Sequence, residues 1–314
     1  MKKIFIFCLS MFVFSSAFAQ ALDYKLVARE VATDTYVFEG ANDDFSKANG
    51  CNIINTGFII TNQGVLVINT GVSKKYGEQQ RMAIAKVTTK EIKLVLNLNL
   101  HPDYFLGNQA YADVPIAALA KSIEGMKQEG GAYTDNLYRI CGDWMSGTES
   151  NPASQVISAG ALSLSDSKHQ LELIELKGHT AADLVLIDKS TGVMFSGGLV
   201  FAQRIPTTPH ANIPQWLDAL DTVSKLNTSN QIKLLIPSHG PVSEGLNGVA
   251  QTKNYLTWLD ATLSNAALQG MDMSEVLKLS IPNEFKGFAA LKPEYLRNVT
   301  HLYPVYEKEI FQKR

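Results

Sequence analysis

A chain of 314 residues with a formal net charge of −2 has no basic excess, and no segment concentrates Lys or Arg. A nucleic-acid partner is therefore not expected. Hydrophobic residues make up 46% of the chain, enough for one large α/β core, and no stretch reaches the roughly 20 apolar residues of a membrane span.

Residues 1–19 read as a secretory signal outside the fold. Lys2 and Lys3 give a positive start, Ile4 to Phe14 an apolar stretch too short to span a membrane, and Ala17-Phe18-Ala19 a small-x-small cleavage site. The expected mature protein, 20–314, is one domain without a membrane span, periplasmic or secreted. It keeps Cys51 and Cys141. In an oxidising compartment these can form a disulfide; two separate buried thiols are the other reading.

The mature chain opens with predicted strands at Tyr24–Val27 and Thr35–Phe38. Gly40 to Gly50 is polar and glycine-containing and is expected to be an exposed loop. Two apolar strands follow, at Asn52–Thr61 and Gly64–Gly71, joined by a tight turn. Helical spacing covers Tyr76–Val87, and Ile92–Leu96 reads as a buried strand. Ser146 to Ser158 is a polar loop between two halves. The second half has strands at Leu171–Leu176, Asp183–Asp188 and Val193–Ser196, the last two forming a hairpin. An amphipathic helix at Ile213–Leu226 and a strand at Lys233–Ile236 complete it. From about 248 to 314 the chain is a helical extension, with helices at Val249–Leu268, Ser274–Leu279 and Pro293–Phe311. Two strand-rich halves with helices outside predict an α/β fold, a four-layer αββα sandwich.

Candidate chemistry collects at the strand ends. His101-Pro102-Asp103 follows the 92–96 strand in a tight turn, placing an imidazole and a carboxylate where a zinc site can begin. Gly178-His179-Thr180, Ser196-Gly197-Gly198 and Pro237-Ser238-His239-Gly240 each end a predicted strand as well. Their order and spacing resemble the metallo-β-lactamase superfamily, whose pattern is His-x-His-x-Asp-His, Gly-His-Thr, Gly-Asp and Gly-His-Gly. Asn55–Ile59, Tyr76–Glu78, Gly142–Glu149, Arg204–His210 and His301–Tyr303 are similar to its exported branch, the quinoprotein relay system zinc metallohydrolases. The resemblance implies a zinc hydrolase acting on a small molecule, with a periplasmic quinoprotein system as a possible partner.

Position by position, the resemblance places Asn99, His101 and His179 at a first metal and Asp103, Tyr104 and His239 at a second. Gly198 stands where the bridging acid belongs. His101, Asp103, His179 and His239 match; Asn99, Tyr104 and Gly198 depart, and so does Asn69, where the pattern has a buttressing aspartate. Without a bridging carboxylate, a two-zinc centre is not expected. Three imidazoles and a carboxylate can hold one zinc per chain, with Asp103 either a ligand or the catalytic group that orients water. A degenerate, metal-free binding or partner protein is the competing reading. Arg204 and His210, in a proline-bounded loop, are candidates either for substrate contact or for setting loop shape. His169 is expected at the surface, and His301 in packing or at the surface.

Overall fold

A computed structural model of the protein describes residues 22–230 and 232–313, so the expected leader at 1–19 lies outside the described residues. The first half contains β1 (Arg29–Ala32), β2 (Thr35–Phe38), β3 (Thr56–Thr61), β4 (Gly64–Ile68), α1 (Lys74–Val87), β5 (Ile92–Leu96), α2 (Pro102–Phe105), β6 (Ile116–Ala118), α3 (Ala120–Cys141) and β7 (Gln155–Val156). The second contains β8 (Gly160–Ala161), β9 (Leu171–Leu176), β10 (Asp183–Asp188), β11 (Val193–Phe195), α4 (Ile213–Asn230), β12 (Leu234–Ile236) and β13 (Ser243–Glu244). The helical extension is α5 (Asn247–Gln269), α6 (Met273–Val276) and α7 (Leu291–Lys313).

Strands β1 to β7 form one sheet in sequence order, and the other runs β13-β12-β11-β10-β9-β8. Central strands read as unbroken apolar runs because both of their faces are covered. Thus β3, β4 and β10 are buried along their whole length, whereas β9 alternates. One core lies between the sheets, with Ile59, Leu66, Leu96, Leu184 and Phe195 among its members. A second packs the first sheet against α1 and α3, and a third packs the other sheet against α4, α5 and α7. The result is the expected αββα arrangement, with the C-terminal helices thickening one outer layer.

Several boundaries differ from expectation, each for a local reason. Residues 24–27 are not a strand. Tyr24 instead gives its N–H to the Gln79 side chain and its hydroxyl to Gly50 O, and Lys25 sits at φ 51°. Residues 52–55 are also irregular, because Asn55 is committed across the molecule, donating its Nδ2 to Pro237 O and Gly240 O. The 40–50 loop is not simply exposed: Gly50 is buried and Phe45 half-buried. Helix α3 was not among the predicted elements. Its buried residues Ile123, Met126, Leu137 and Cys141 do keep helical spacing, but its N-cap residue is Leu119, which makes no side-chain cap bond, and Gly130-Gly131 interrupts the pattern.

Cys51 and Cys141 form a disulfide with a Cα–Cα distance of 6.0 Å, joining the 40–51 loop to the end of α3. His169, expected at the surface, is fully buried. Its Nδ1 lies 2.7 Å from Asp188 Oδ2, which pins the turn before β9 to the end of β10.

Candidate metal centre

The turn after β5 is built by side chains that satisfy backbone groups. Asn69, at φ 57°, accepts the Leu98 N–H through its side-chain oxygen at 2.9 Å, so a neutral amide buttresses this loop. Asn99 is engaged at both ends of its amide. Its oxygen accepts the His101 N–H at 3.0 Å, and its Nδ2 donates to Asp183 Oδ1 at 2.6 Å. Asn99 is therefore a strut between the β5 and β9 loops. Tyr104 is fully buried in the inter-sheet core, its hydroxyl without a hydrogen-bond partner among the described residues. The phenol lies close to Asp103, Ser238 and Asp183.

His179 is held on the opposite side. Gly178 takes φ 142°, and a Cβ there would meet Trp216 Cα at 2.2 Å, so only glycine lets the start of α4 pack onto this turn. The His179 ring lies 4.8 Å from Trp216 and 5.5 Å from Phe201, centroid to centroid. Its Nδ1 faces Asp183 Oδ1 at 3.5 Å, and its Nε2 is buried without a partner. At Gly198 an added Cβ would meet His179 Nδ1 at 2.0 Å. The imidazole has taken the space of any side chain at that position.

His239 stacks on Phe201 at 4.8 Å, and its Nδ1 lies 2.9 Å from Ile53 O. A carbonyl only accepts, so Nδ1 carries the proton and Nε2 presents a lone pair. That Nε2 faces Asp103 Oδ2 at 3.5 Å, and Asp103 Oδ2 is buried and unpartnered. Two buried acceptors thus confront each other across a gap that calls for a proton or a cation. Burial pushes the Asp103 carboxyl up to about 7. Burial, followed by the nearby His179 ring, holds His101 well below the ordinary histidine range; burial and then Arg204 do the same to His239. Both rings are neutral donors at pH 7.

The matched residues therefore meet in one cleft as two pairs: His101 and His179, with ring centroids 4.6 Å apart, and Asp103 and His239. Among the described residues, no group of three or more His, Cys, Asp or Glu already stands as a closed metal cage. The pairs nevertheless fit a zinc ion. Two donors on a tetrahedral zinc, with bonds of about 2.0–2.1 Å, stand roughly 3.3 Å apart. The Asp103–His239 separation is close to that edge, and His179 Nε2 is a further bare donor.

The cleft opens into a cavity of about 330 Å³. Phe45, Ile53, Tyr133, Leu137 and Ile140 give it an apolar wall, while Glu129, His210, Arg297 and His301 add polar groups. Of the two loop candidates, His210 lines this space and Arg204 does not. Arg204 is buried behind the wall, its guanidinium on Glu294 Oε1 at 3.0 Å and on Asp43 O at 3.0 Å. Its place is to set loop shape rather than to touch substrate. His301 is exposed on α7 at the cavity edge. Glu129, Tyr133 and Asp183 were not singled out in the sequence. For Asp183, the spacing of four from His179 was the available signal; for the α3 pair, no signal existed without the helix.

A family model described as the Metallo-beta-lactamase superfamily matches residues 49–239. Solved structures with the same architecture include a metallo-β-lactamase from Pontibacter korlensis, at a TM-score of 0.57 and 19% identity, covering 74% of this chain and 99% of that one. TMB-1 aligns at 0.57 and 18% identity, covering 75% and 98%. FIM-1 from Pseudomonas aeruginosa, solved in a mono-zinc form, aligns at 0.57 and 16% identity, covering 74% and 95%. At these identities the likeness is one of fold. No curated protein matches the chain.

Proposed function

Because the chain belongs to the metallo-β-lactamase superfamily, we propose that it is an exported hydrolase with a single zinc held by residues from the set His101, Asp103, His179 and His239. The observation that carries this reading is the facing pair of bare acceptors, His239 Nε2 and Asp103 Oδ2, with His179 Nε2 unpartnered nearby. Zinc, when bound, supplies a Lewis acid that lowers the pKa of water toward ~7. The chain's own residues do the rest. Phe201 and Trp216 fix the imidazole planes, and the Ile53 carbonyl fixes the His239 tautomer. With the metal on the three histidines Asp103 orients the water; as a ligand it closes the site instead. The apolar wall seats the body of an ester, amide, lactone or thioester.

A second metal is not part of this reading. His179 fills the space beside Gly198, and Tyr104 lies in the core. Export is supported by the N-terminal leader pattern and by the Cys51–Cys141 disulfide, which persists in oxidising compartments. The motifs shared with the quinoprotein relay branch support a periplasmic quinoprotein system as partner. The same acceptor pair also admits a metal-free reading, in which a proton on Asp103 fills the gap. Elemental analysis of the purified protein separates the two. We expect about one zinc per chain, lost in Asp103→Ala and His239→Ala. No zinc after growth with zinc supplied overturns the hydrolase reading in favour of a binding protein.

A further inference from the structure

From His101 a chain of hydrogen-bonding groups runs to helix α3. His101 Nε2 lies 3.0 Å from His210 Nδ1. His210 Nε2 lies 3.0 Å from the Glu129 carboxylate, and the Tyr133 hydroxyl donates to Glu129 Oε2 at 2.7 Å. His101 is buried; His210 and Glu129 are partly so. The loop that delivers His210 is fixed by Arg204 beneath it and by the Thr208 hydroxyl, which donates to Asn298 Oδ1 at 2.9 Å.

The direction of each bond follows from what each group can do. A carboxylate only accepts, so His210 Nε2 carries a proton. In a neutral imidazole the other nitrogen is then an acceptor. With His210 neutral, its Nδ1 receives the bond from His101 Nε2–H, which leaves Nδ1 of His101 as a bare lone pair. We infer that Glu129 and His210 are positioning residues that fix the tautomer of His101, so that its Nδ1 is the nitrogen presented to a ligand in the cleft. This serves the proposed zinc reading, since outer carboxylates orient and strengthen imidazole ligands. The tautomer itself does not depend on any metal.

The test begins with the metal-stripped parent, ¹⁵N-labelled, at pH 8, above the reference imidazole pKa of about 6.5. Long-range proton–nitrogen correlation reads each histidine's tautomer, with His101→Gln identifying the signals. The parent should hold His101 as Nε2–H. Glu129→Leu should lower the ratio of Nε2–H to Nδ1–H about tenfold, the size of one charge-assisted hydrogen bond. In competition with a chromophoric chelator, it should weaken zinc binding about 10- to 100-fold. His101 held as Nδ1–H in the parent overturns the inference and needs no variant to fold. An unchanged tautomer ratio in a folded Glu129→Leu overturns it as well. If the ratio shifts as expected and the parent binds no zinc, the relay stands and the zinc reading falls.

Discussion

Removing the disulfide by replacing Cys51 and Cys141 together with alanine should destabilise the protein severely. The bridge joins residues separated by 90 positions. Closing a loop of that length in the unfolded chain gives an entropic stabilisation of about 4.6 kcal/mol at 25 °C. Both sulfurs sit in fully buried positions of the core under α3, so truncation also loses packing. A typical domain is stable by about 5–15 kcal/mol, so the loss is a large share of the total. The bridge also ties together two walls of the cavity: the loop carrying Asp44 and Phe45, and the helix carrying Tyr133 and Leu137. Urea unfolding of the parent and the double variant measures the loss, and the slope reports whether the unfolded state has expanded. Hydrogen exchange should show loop 41–52 opening first. A loss below about 1.5 kcal/mol with an unchanged slope would refute the loop-entropy reasoning.

Two further outcomes follow from buried charge. Glu294→Gln leaves the fully buried Arg204 guanidinium short of its carboxylate and should cost about 3–5 kcal/mol by urea unfolding. Replacing both residues, Arg204→Met with Glu294→Leu, should recover most of that loss, and a double variant no better than the single would count against it. Asp103 has a folded pKa raised by burial to about 7, above the ordinary aspartate value of about 3.9. Between those limits the native state binds the extra proton, so its contribution to stability falls as pH rises, by about 1.4 kcal/mol per pH unit, and is lost above pH 7. The lowered His101 and His239 act in the opposite direction below about pH 6.5, so the comparison must be with Asp103→Asn. In metal-stripped protein this variant should gain on the parent from pH 5 to pH 8; parallel curves would show that Asp103 is not desolvated.

Most of the fold was legible because sandwich strands announce themselves. β3, β4, β5, β10 and β11 are apolar runs bounded by turns, and α4 shows its buried stripe through Trp216, Leu220 and Val223. What failed did so where tertiary bonds override local pattern. The backbone at 24–27 follows Tyr24 to partners on α1 and the 50 loop. His169 looked solvated in its polar neighbourhood, yet it is drawn inward by Asp188, which lies 19 positions away in the chain.

By itself, the sequence determined which donors stand at strand tips and in what order. It also determined that the bridging acid was absent, because a glycine carries no donor in any fold. Only the tertiary structure decided what the replacements do. Asn99 became a strut because Asp183 and the His101 N–H engage both ends of its amide. Tyr104 is sealed from solvent because its ring packs into the core between the sheets. Glu129 came beside the cleft because α3 crosses it, meeting His210 from 81 positions away. Strand patterns are short-range and survive in one dimension; the pairing of polar atoms depends on which loops a closed sandwich brings within 3 Å of one another.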